Sequence, residues 1–400
     1  MRQTTQAVPI RGMGLRRGLG RDRIPALGVL VGVVAGLVLI KGLLYIAAAQ
    51  LYGGAEHALC QWDCEWYVHT MTDGYDPEPR LRPNADFSNW AFFPLFPMLG
   101  RLVRLVTGLG AFWSGTAVAV LAFAGFAVLS VPYRALTRRD ADQAACLTLL
   151  MVYPFGLYFF MAYTESLYLL LILLLLFAAR TGNFGGACVA TSLAAAARPT
   201  GVLAIPYLVA EGAWRARAAF RRGLAPSARS RVLADVAFPL AIAPLGLVCY
   251  MVYLYHLLGD PLAFSHAQLS WDRAFFNPLK LLYWSLLKDD WGFLLDPAMP
   301  PSRDYCSLFV FVAAAACLWL AWRRLFLEAW LLGSTVLLAL TTGVESMPRY
   351  VTANPVFLLV VGDVVDRVRP RAARVGLVAA SVPLQGFLLS QWMIGSTLLM

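Results

Sequence analysis

The chain has 400 residues, 60% of them hydrophobic and 14% charged, with a mean hydropathy of +0.65. A soluble domain carries roughly a quarter charged residues, so this composition excludes a soluble globular protein and calls for repeated apolar runs of about 20 residues, long enough to cross a ~30 Å hydrocarbon core. The net charge of +10 does not point to nucleic acid, because the arginines sit in short loops between apolar runs, the positive-inside pattern of membrane proteins.

A basic segment over 1–24 leads into a single transmembrane domain over 25–400, and the apolar run behind those arginines is too long for a cleavable signal. Crossings are predicted near 25–49, 111–131, 144–161, 163–180, 234–257, 305–322, 327–342, 350–366 and 374–395. Between 144 and 180, Pro154, Gly156 and Glu165 divide one long apolar stretch into two crossings. The stretch 184–213 is broken by Arg198-Pro199-Thr200-Gly201 and reads as a re-entrant pair of half-helices, since broken backbone is tolerated at membrane depth only inside protein or beside a wet cavity. With that assignment 22 of the 33 basic residues fall in inner segments and 9 in outer ones, which sets the N-terminus inside. Arginine-dominated basic residues among many Ala, Gly and Val suggest a GC-rich bacterial genome, hence a multi-pass protein of a bacterial plasma membrane. The expected fold is therefore all-α, a polytopic bundle of about nine crossings plus one re-entrant hairpin.

Two long loops, 51–110 and 258–304, face outward in this scheme, and the first includes an amphipathic piece from Phe92 to Thr107 suited to lying along the interface. Lys41, in the first crossing, is expected to snorkel to the outer interface. The seven cysteines have no metal-ligand spacing. Cys60 and Cys64 flank an acidic motif, but on one continuous helix residues four apart bridge awkwardly. There is no internal repeat, which weakens a transporter reading.

The first outer loop opens with Gln61-Trp62-Asp63-Cys64-Glu65-Trp66-Tyr67, continues with Asp73-Gly74-Tyr75-Asp76, and reaches Asn89-Trp90-Ala91-Phe92-Phe93-Pro94-Leu95-Phe96-Pro97. Carboxylates among aromatics just outside a membrane helix suit a polyol: aromatic faces pack on sugar C–H groups and a carboxylate accepts a hydroxyl proton. An interfacial aromatic belt with solvated acids is the plainer alternative.

These stretches, with Tyr163-Thr164-Glu165-Ser166-Leu167, Arg198-Pro199-Thr200-Gly201 and Met347-Pro348-Arg349-Tyr350, resemble the signature of the GPI mannosyltransferase II (PIG-V-like) family, in order over about residues 25 to 370. The resemblance implies a GT-C-type helical bundle with its site on the outer loops, a polyprenyl-phosphate mannose donor, a lipid or glycan acceptor, and inverting transfer on the non-cytoplasmic face. Asp63 is then the expected base, taking the acceptor proton as that oxygen attacks the anomeric carbon. The leaving lipid phosphate needs cations rather than a general acid, and Arg349 is the first choice because guanidinium matches phosphate oxygens bidentately. Its alternative is an arginine facing lipid headgroups.

Trp62, Tyr67, Tyr75, Phe92 and Phe93 are candidate walls for the substrate. Glu65 reads as an acceptor contact or as a solvated neighbour of Asp63, Glu165 as a substrate contact or a dipole-stabilised helix start, and Arg198 as a phosphate ligand or one half of a buried ion pair. His57 and His69 are weaker candidates for phosphate or acceptor contacts. No cofactor and no tightly held metal is expected, a loosely bound divalent ion near the acids staying open. The expected partners are the polyprenyl-phosphate sugar, the acceptor and membrane lipids. A transporter or flippase of lipid-linked sugars, or another GT-C transferase acting on protein or a different sugar, shares most of these features.

Overall fold

The computed structural model describes residues 26–78, 80–82, 85–137, 143–221, 226–271, 273–287, 303–396 and 398. The basic segment 1–24 and the stretch 288–302 of the second long loop lie outside the described residues. The protein is a membrane bundle of helices. Its first helix, α1 (Leu27–Ala49), shows why: Leu30, Val34, Val38, Lys41, Tyr45 and Ala49 form one buried stripe at helical spacing. Leu27, Val29, Leu39, Ile40 and Leu44 stay exposed on the remaining faces. A helix apolar all round with one packed stripe belongs in lipid.

After α1, the first long loop contains the short α2 (Ala55–Leu59), α3 (Asp63–Thr72), a two-stranded antiparallel ribbon of β1 (Arg80–Arg82) and β2 (Ala85–Phe87), and α4 (Leu95–Thr107). The helix α4 is amphipathic as expected, with Met98, Leu102, Leu105 and Val106 exposed. The long α5 (Ala111–Thr137) follows, then α6 (Gln143–Val152), α7 (Glu165–Arg180), α8 (Phe184–Ala197) and α9 (Ile205–Arg221). Next come α10 (Pro226–Ile242), α11 (Leu245–Leu258), α12 (Ala263–His266) and α13 (Pro278–Leu287). The chain closes with α14 (Leu308–Trp322), α15 (Phe326–Leu340), α16 (Met347–Thr352), α17 (Pro355–Val365) and α18 (Arg371–Met393). Buried along nearly all its length, α7 is the central post, packed on α5 and α8.

Four apolar segments among the described residues are long enough to cross a membrane unbroken: 27–52, 111–137, 305–322 and 372–393. Two further expected crossings are bent. Between 143 and 160 the chain turns by 77° at Tyr153-Pro154, and between 226 and 258 by 43° at Ala243-Pro244. The stretch 350–366 is likewise interrupted, because Asn354 caps α17 by accepting from the Val356 N–H and Pro355 opens that helix. Proline disfavours helical backbone in the residue before it, a constraint that mean apolarity along a window does not register.

The 77° bend also corrects the reading of Lys41. The side chain is buried, and its Nζ donates to the Met151 carbonyl at 2.8 Å, beside the break, while lying 4.8 Å from the Phe160 ring centre. A carbonyl freed by a broken helix at membrane depth needs a donor, and Lys41 supplies one instead of snorkelling.

The re-entrant hairpin is present in outline. Arg198 is extended (φ −153°, ψ 147°) ahead of Pro199, so α8 stops there. The 3-10 turn Pro199–Ala204 folds back onto it, closely enough that a Cβ on Gly201 would lie 2.3 Å from the Ala194 and Ala195 backbone. The returning α9 brings Arg215 over the Phe184 ring at the start of α8, 5.0 Å from its centre. The outgoing and returning limbs therefore run side by side with Arg198 at the turn.

Candidate active site

At the end of the bundle that carries the loop 51–110, a cavity of about 700 Å³ is lined by Asp63, Tyr67, Phe92, Phe93, Arg198, Phe264, Arg273, Phe275, Arg349 and Tyr350, among others. Its residues come from α3, the segment before α4, the hairpin turn, the second long loop and α16, so it forms only when the whole chain has folded.

Asp63 opens α3, where exposed N–H groups favour a carboxylate. The residue before it, Trp62, has φ 54°, a strained conformation for a side chain of this size. A single hydroxyl holds that turn: Tyr163 donates to the Gln61 carbonyl at 2.7 Å and accepts from the Asp63 N–H at 3.1 Å. The turn also settles the cysteines. Cys60 ends α2 and Cys64 lies in the first turn of α3, so they are not on one continuous helix, and they form a disulfide across a Cα separation of 5.1 Å. The far end of α3 is fixed by Met71, whose side chain fills the space beside Gly100 and Gly115.

Arg349 Nη1 donates to Asp63 Oδ2 at 2.7 Å, and the Asp63 side chain keeps 31% of its surface exposed. Glu165 is buried between two guanidiniums: its Oε1 accepts from Arg198 at 3.0 Å and lies 3.5 Å from Arg349 Nε. Arg349, the first choice for a phosphate on sequence grounds, is thus engaged by two carboxylates. Burial by itself would raise the pKa of Asp63, but Arg349, Arg273 and Arg198 together hold the carboxyl below its ordinary range. It is a carboxylate at neutral pH.

Tyr350 links the cations. Its hydroxyl accepts from Arg273 Nη1 at 3.1 Å, while the guanidinium carbons of Arg198 and Arg349 lie 5.4 and 5.8 Å from its ring centre. Arg273 also donates to Ser346 Oγ at 3.4 Å. On the aromatic side, Phe92 lies parallel to Trp66 at 5.9 Å and edge-on to Tyr67 at 5.1 Å, and Phe93 packs on Tyr250 and Phe264. Buried Asn89 braces this wall, donating to the Gly74 carbonyl at 2.8 Å and accepting from the Asp76 N–H at 3.1 Å.

Of the residues singled out from sequence, Asp63, Tyr67, Phe92, Phe93, Arg198 and Arg349 line the cavity. Four do not. Glu65 is exposed on the far side of α3, and Trp62 packs into the core at the strained turn. Tyr75 donates to the Phe92 carbonyl at 2.5 Å and buttresses the wall from behind, and Glu165 acts through the arginines. His69 is clamped between Asp73 and Asp76, at 2.9 and 2.8 Å, and braces the loop away from the cavity. Arg273, the Tyr163 hydroxyl and the Tyr350 hydroxyl were not picked out. The order of short motifs could have flagged the tyrosines, whereas nothing local marks Arg273. Among the described residues no group of three His, Cys, Asp or Glu side chains is placed to hold a metal.

No family model matches this sequence, and no curated protein matches it. Among solved structures, the chain is similar to the oligosaccharyltransferase of Archaeoglobus fulgidus in its apo form, at 13% identity and a TM-score of 0.42, over 91% of this chain and 55% of that one. The chain thus spans little more than half of the archaeal protein. It is also similar to ArnT from Cupriavidus metallidurans bound to undecaprenyl phosphate, at 11% identity and a TM-score of 0.35, over 92% of this chain and 78% of that one. These are distant likenesses of helical arrangement.

Proposed function

We propose that this chain is an inverting glycosyltransferase that moves mannose from a polyprenyl-phosphate carrier to a lipid or glycan acceptor at the outer face of a membrane. The observation that carries the reading is Asp63, an ionised carboxylate open to a cavity with aromatic walls and three arginines. Such a site can take a proton on one side of a sugar and stabilise a departing anion on the other. The mannose and the polyprenyl carrier come from the resemblance of the loop motifs.

In this mechanism the acceptor hydroxyl attacks the anomeric carbon and its proton passes to Asp63. The bond from that carbon to the phosphate oxygen breaks with its electron pair going to oxygen, so the lipid phosphate leaves with one more negative charge. Arg349 holds the Asp63 carboxylate in position, and Glu165 holds Arg349 and Arg198 in turn. The phenyl faces of Phe92 and Phe93 and the ring of Tyr67 bound the sugar.

The test uses purified protein in nanodiscs with radiolabelled polyprenyl-phosphate mannose and a membrane lipid extract. Wild type is expected to transfer label into a lipid or glycan product. The Asp63→Asn variant should lose about 100-fold or more of the rate, in line with removal of a general base, while still binding donor. Equal transfer by both proteins removes Asp63 as the base, and, with the protein in sealed vesicles, movement of intact donor across the bilayer without a new product indicates a transporter.

A further inference from the structure

The charges around the cavity do not cancel. Three guanidiniums, Arg198, Arg273 and Arg349, face two carboxylates, Asp63 and Glu165. Glu165 bridges Arg198 and Arg349, and Asp63 takes Arg349. Arg273 is left with neutral oxygens, the hydroxyls of Tyr350 and Ser346, as its side-chain partners among the described residues. A guanidinium lining a cavity and oriented by hydroxyls rather than by a carboxylate keeps its full charge for a ligand.

We propose that Arg273, held by Tyr350 and Ser346, is the seat of the carrier's phosphate, and that Arg349 serves Asp63 instead. The assignment rests on the transferase reading above and deepens it. The phosphodiester arrives with one negative charge, matching the one cavity guanidinium with no carboxylate hydrogen-bonded to it among the described residues. As the bond from the anomeric carbon to the phosphate oxygen breaks, the phosphate gains a second charge, and Arg198, which lies against the same Tyr350 with its guanidinium carbon 5.4 Å from the ring centre, can share it. The acceptor then approaches from the Asp63 side, where Arg349 holds the carboxylate. This gives the second long loop a role: it brings the phosphate ligand to a site whose base comes from the first.

Two measurements on protein in nanodiscs test this: equilibrium binding of sugar-free polyprenyl phosphate, and donor KM against kcat for transfer. The Arg273→Gln variant should weaken polyprenyl phosphate binding and raise donor KM by about tenfold or more, the scale of a charge-assisted hydrogen bond. Arg273→Lys should recover part of the loss, and Tyr350→Phe should show a smaller one. Arg349→Gln should lower kcat while leaving polyprenyl phosphate binding within about threefold. Thermal unfolding of each variant near that of wild type shows that folding is not the cause. Polyprenyl phosphate binding unchanged in Arg273→Gln but lost in Arg349→Gln overturns the proposal in favour of Arg349. Wild type that binds no polyprenyl phosphate overturns the carrier class itself, and this assignment with it.

Discussion

The peptide between Gln61 and Asp63 is held in an unfavourable conformation by one phenol. Backbone strain at φ 54° costs of order 1–3 kcal/mol, and the Tyr163 hydroxyl offsets it by bonding on both sides of Trp62. Tyr163→Phe removes both bonds and keeps the ring, which packs on Trp392 at 5.4 Å. The expected outcome is a fall in kcat with donor binding retained and a stability loss of about 1 to 2 kcal/mol, read from transfer kinetics and thermal unfolding of the same preparation. The ionisation of Asp63 gives a second expectation. Its folded pKa is depressed by neighbouring arginines, so the carboxylate is present at neutral pH and is lost only as pH falls through a value below the usual carboxylate range. The acid limb of kcat/KM should therefore lie below the ordinary carboxylate range, and Arg349→Gln should move it upward. An acid limb near neutral pH would mean that another group is the base.

At the scale of elements, prolines and close glycines decide where the cavity can be. Gly246 at the start of α11 sits so close to α8 that a Cβ there would come within 1.8 Å of the Ser192 carbonyl oxygen, and its N–H donates to Ser192 Oγ at 3.0 Å. Gly246→Ala must push the two helices apart, and a loss of about 1–3 kcal/mol is expected from overpacking, visible as a lower unfolding temperature in detergent. The hairpin turn at Arg198-Pro199 was legible from sequence because a charge and a proline interrupted an otherwise apolar run. The bend at Pro154 was read as a boundary between two crossings, and the break at Pro355 was not read at all. Both lie in runs that are apolar on average, and such a run satisfies a membrane whether it goes straight through or turns. The site divides in the same way. Asp63, Tyr67, Phe92 and Phe93 stood out because acids and aromatics cluster within one loop. Arg349 pairs with Asp63 across 286 residues, and Arg273 reaches Tyr350 across 77, so only the folded chain shows which cation meets which partner.

At the scale of the whole molecule, several buried ion pairs among the described residues gather at the two ends of α7, about 24 Å apart at 1.5 Å per residue. Glu165 at one end belongs to the cavity. Arg180 at the other pairs with Glu328, which also accepts from the Tyr133 hydroxyl at 2.7 Å. Nearby, Arg134 pairs with Asp366, and Asp363 lies 3.5 and 3.6 Å from Arg323 and Arg367. The basic residues used to orient the chain are therefore partly neutralised, and all of these pairs except Asp363–Arg367, four residues apart, tie together segments distant in sequence. Removing one member of a buried pair leaves the other uncompensated, so Glu328→Gln should cost about 3–5 kcal/mol. Below its lowered unfolding temperature the variant should retain donor binding and turnover, since nothing at the cavity depends on Glu328. Loss of turnover in a fully folded variant would show that the two ends are coupled.

The Cys60–Cys64 bridge next to Asp63 has a consequence for how the protein is made. Disulfides form and persist in oxidising compartments and are rare where thiols are kept reduced. With the loop on the outer face, as proposed above, the bridge acts as a timestamp: it closes once the loop has reached the oxidising side of the membrane. A molecule inserted the wrong way round would present two thiols and a slack turn where the finished protein has a fixed one. On that proposal, newly made chains should lose reactivity toward a thiol-specific label at this pair when they acquire transferase activity, and the interval between synthesis and that moment measures how long the loop takes to reach the outer face.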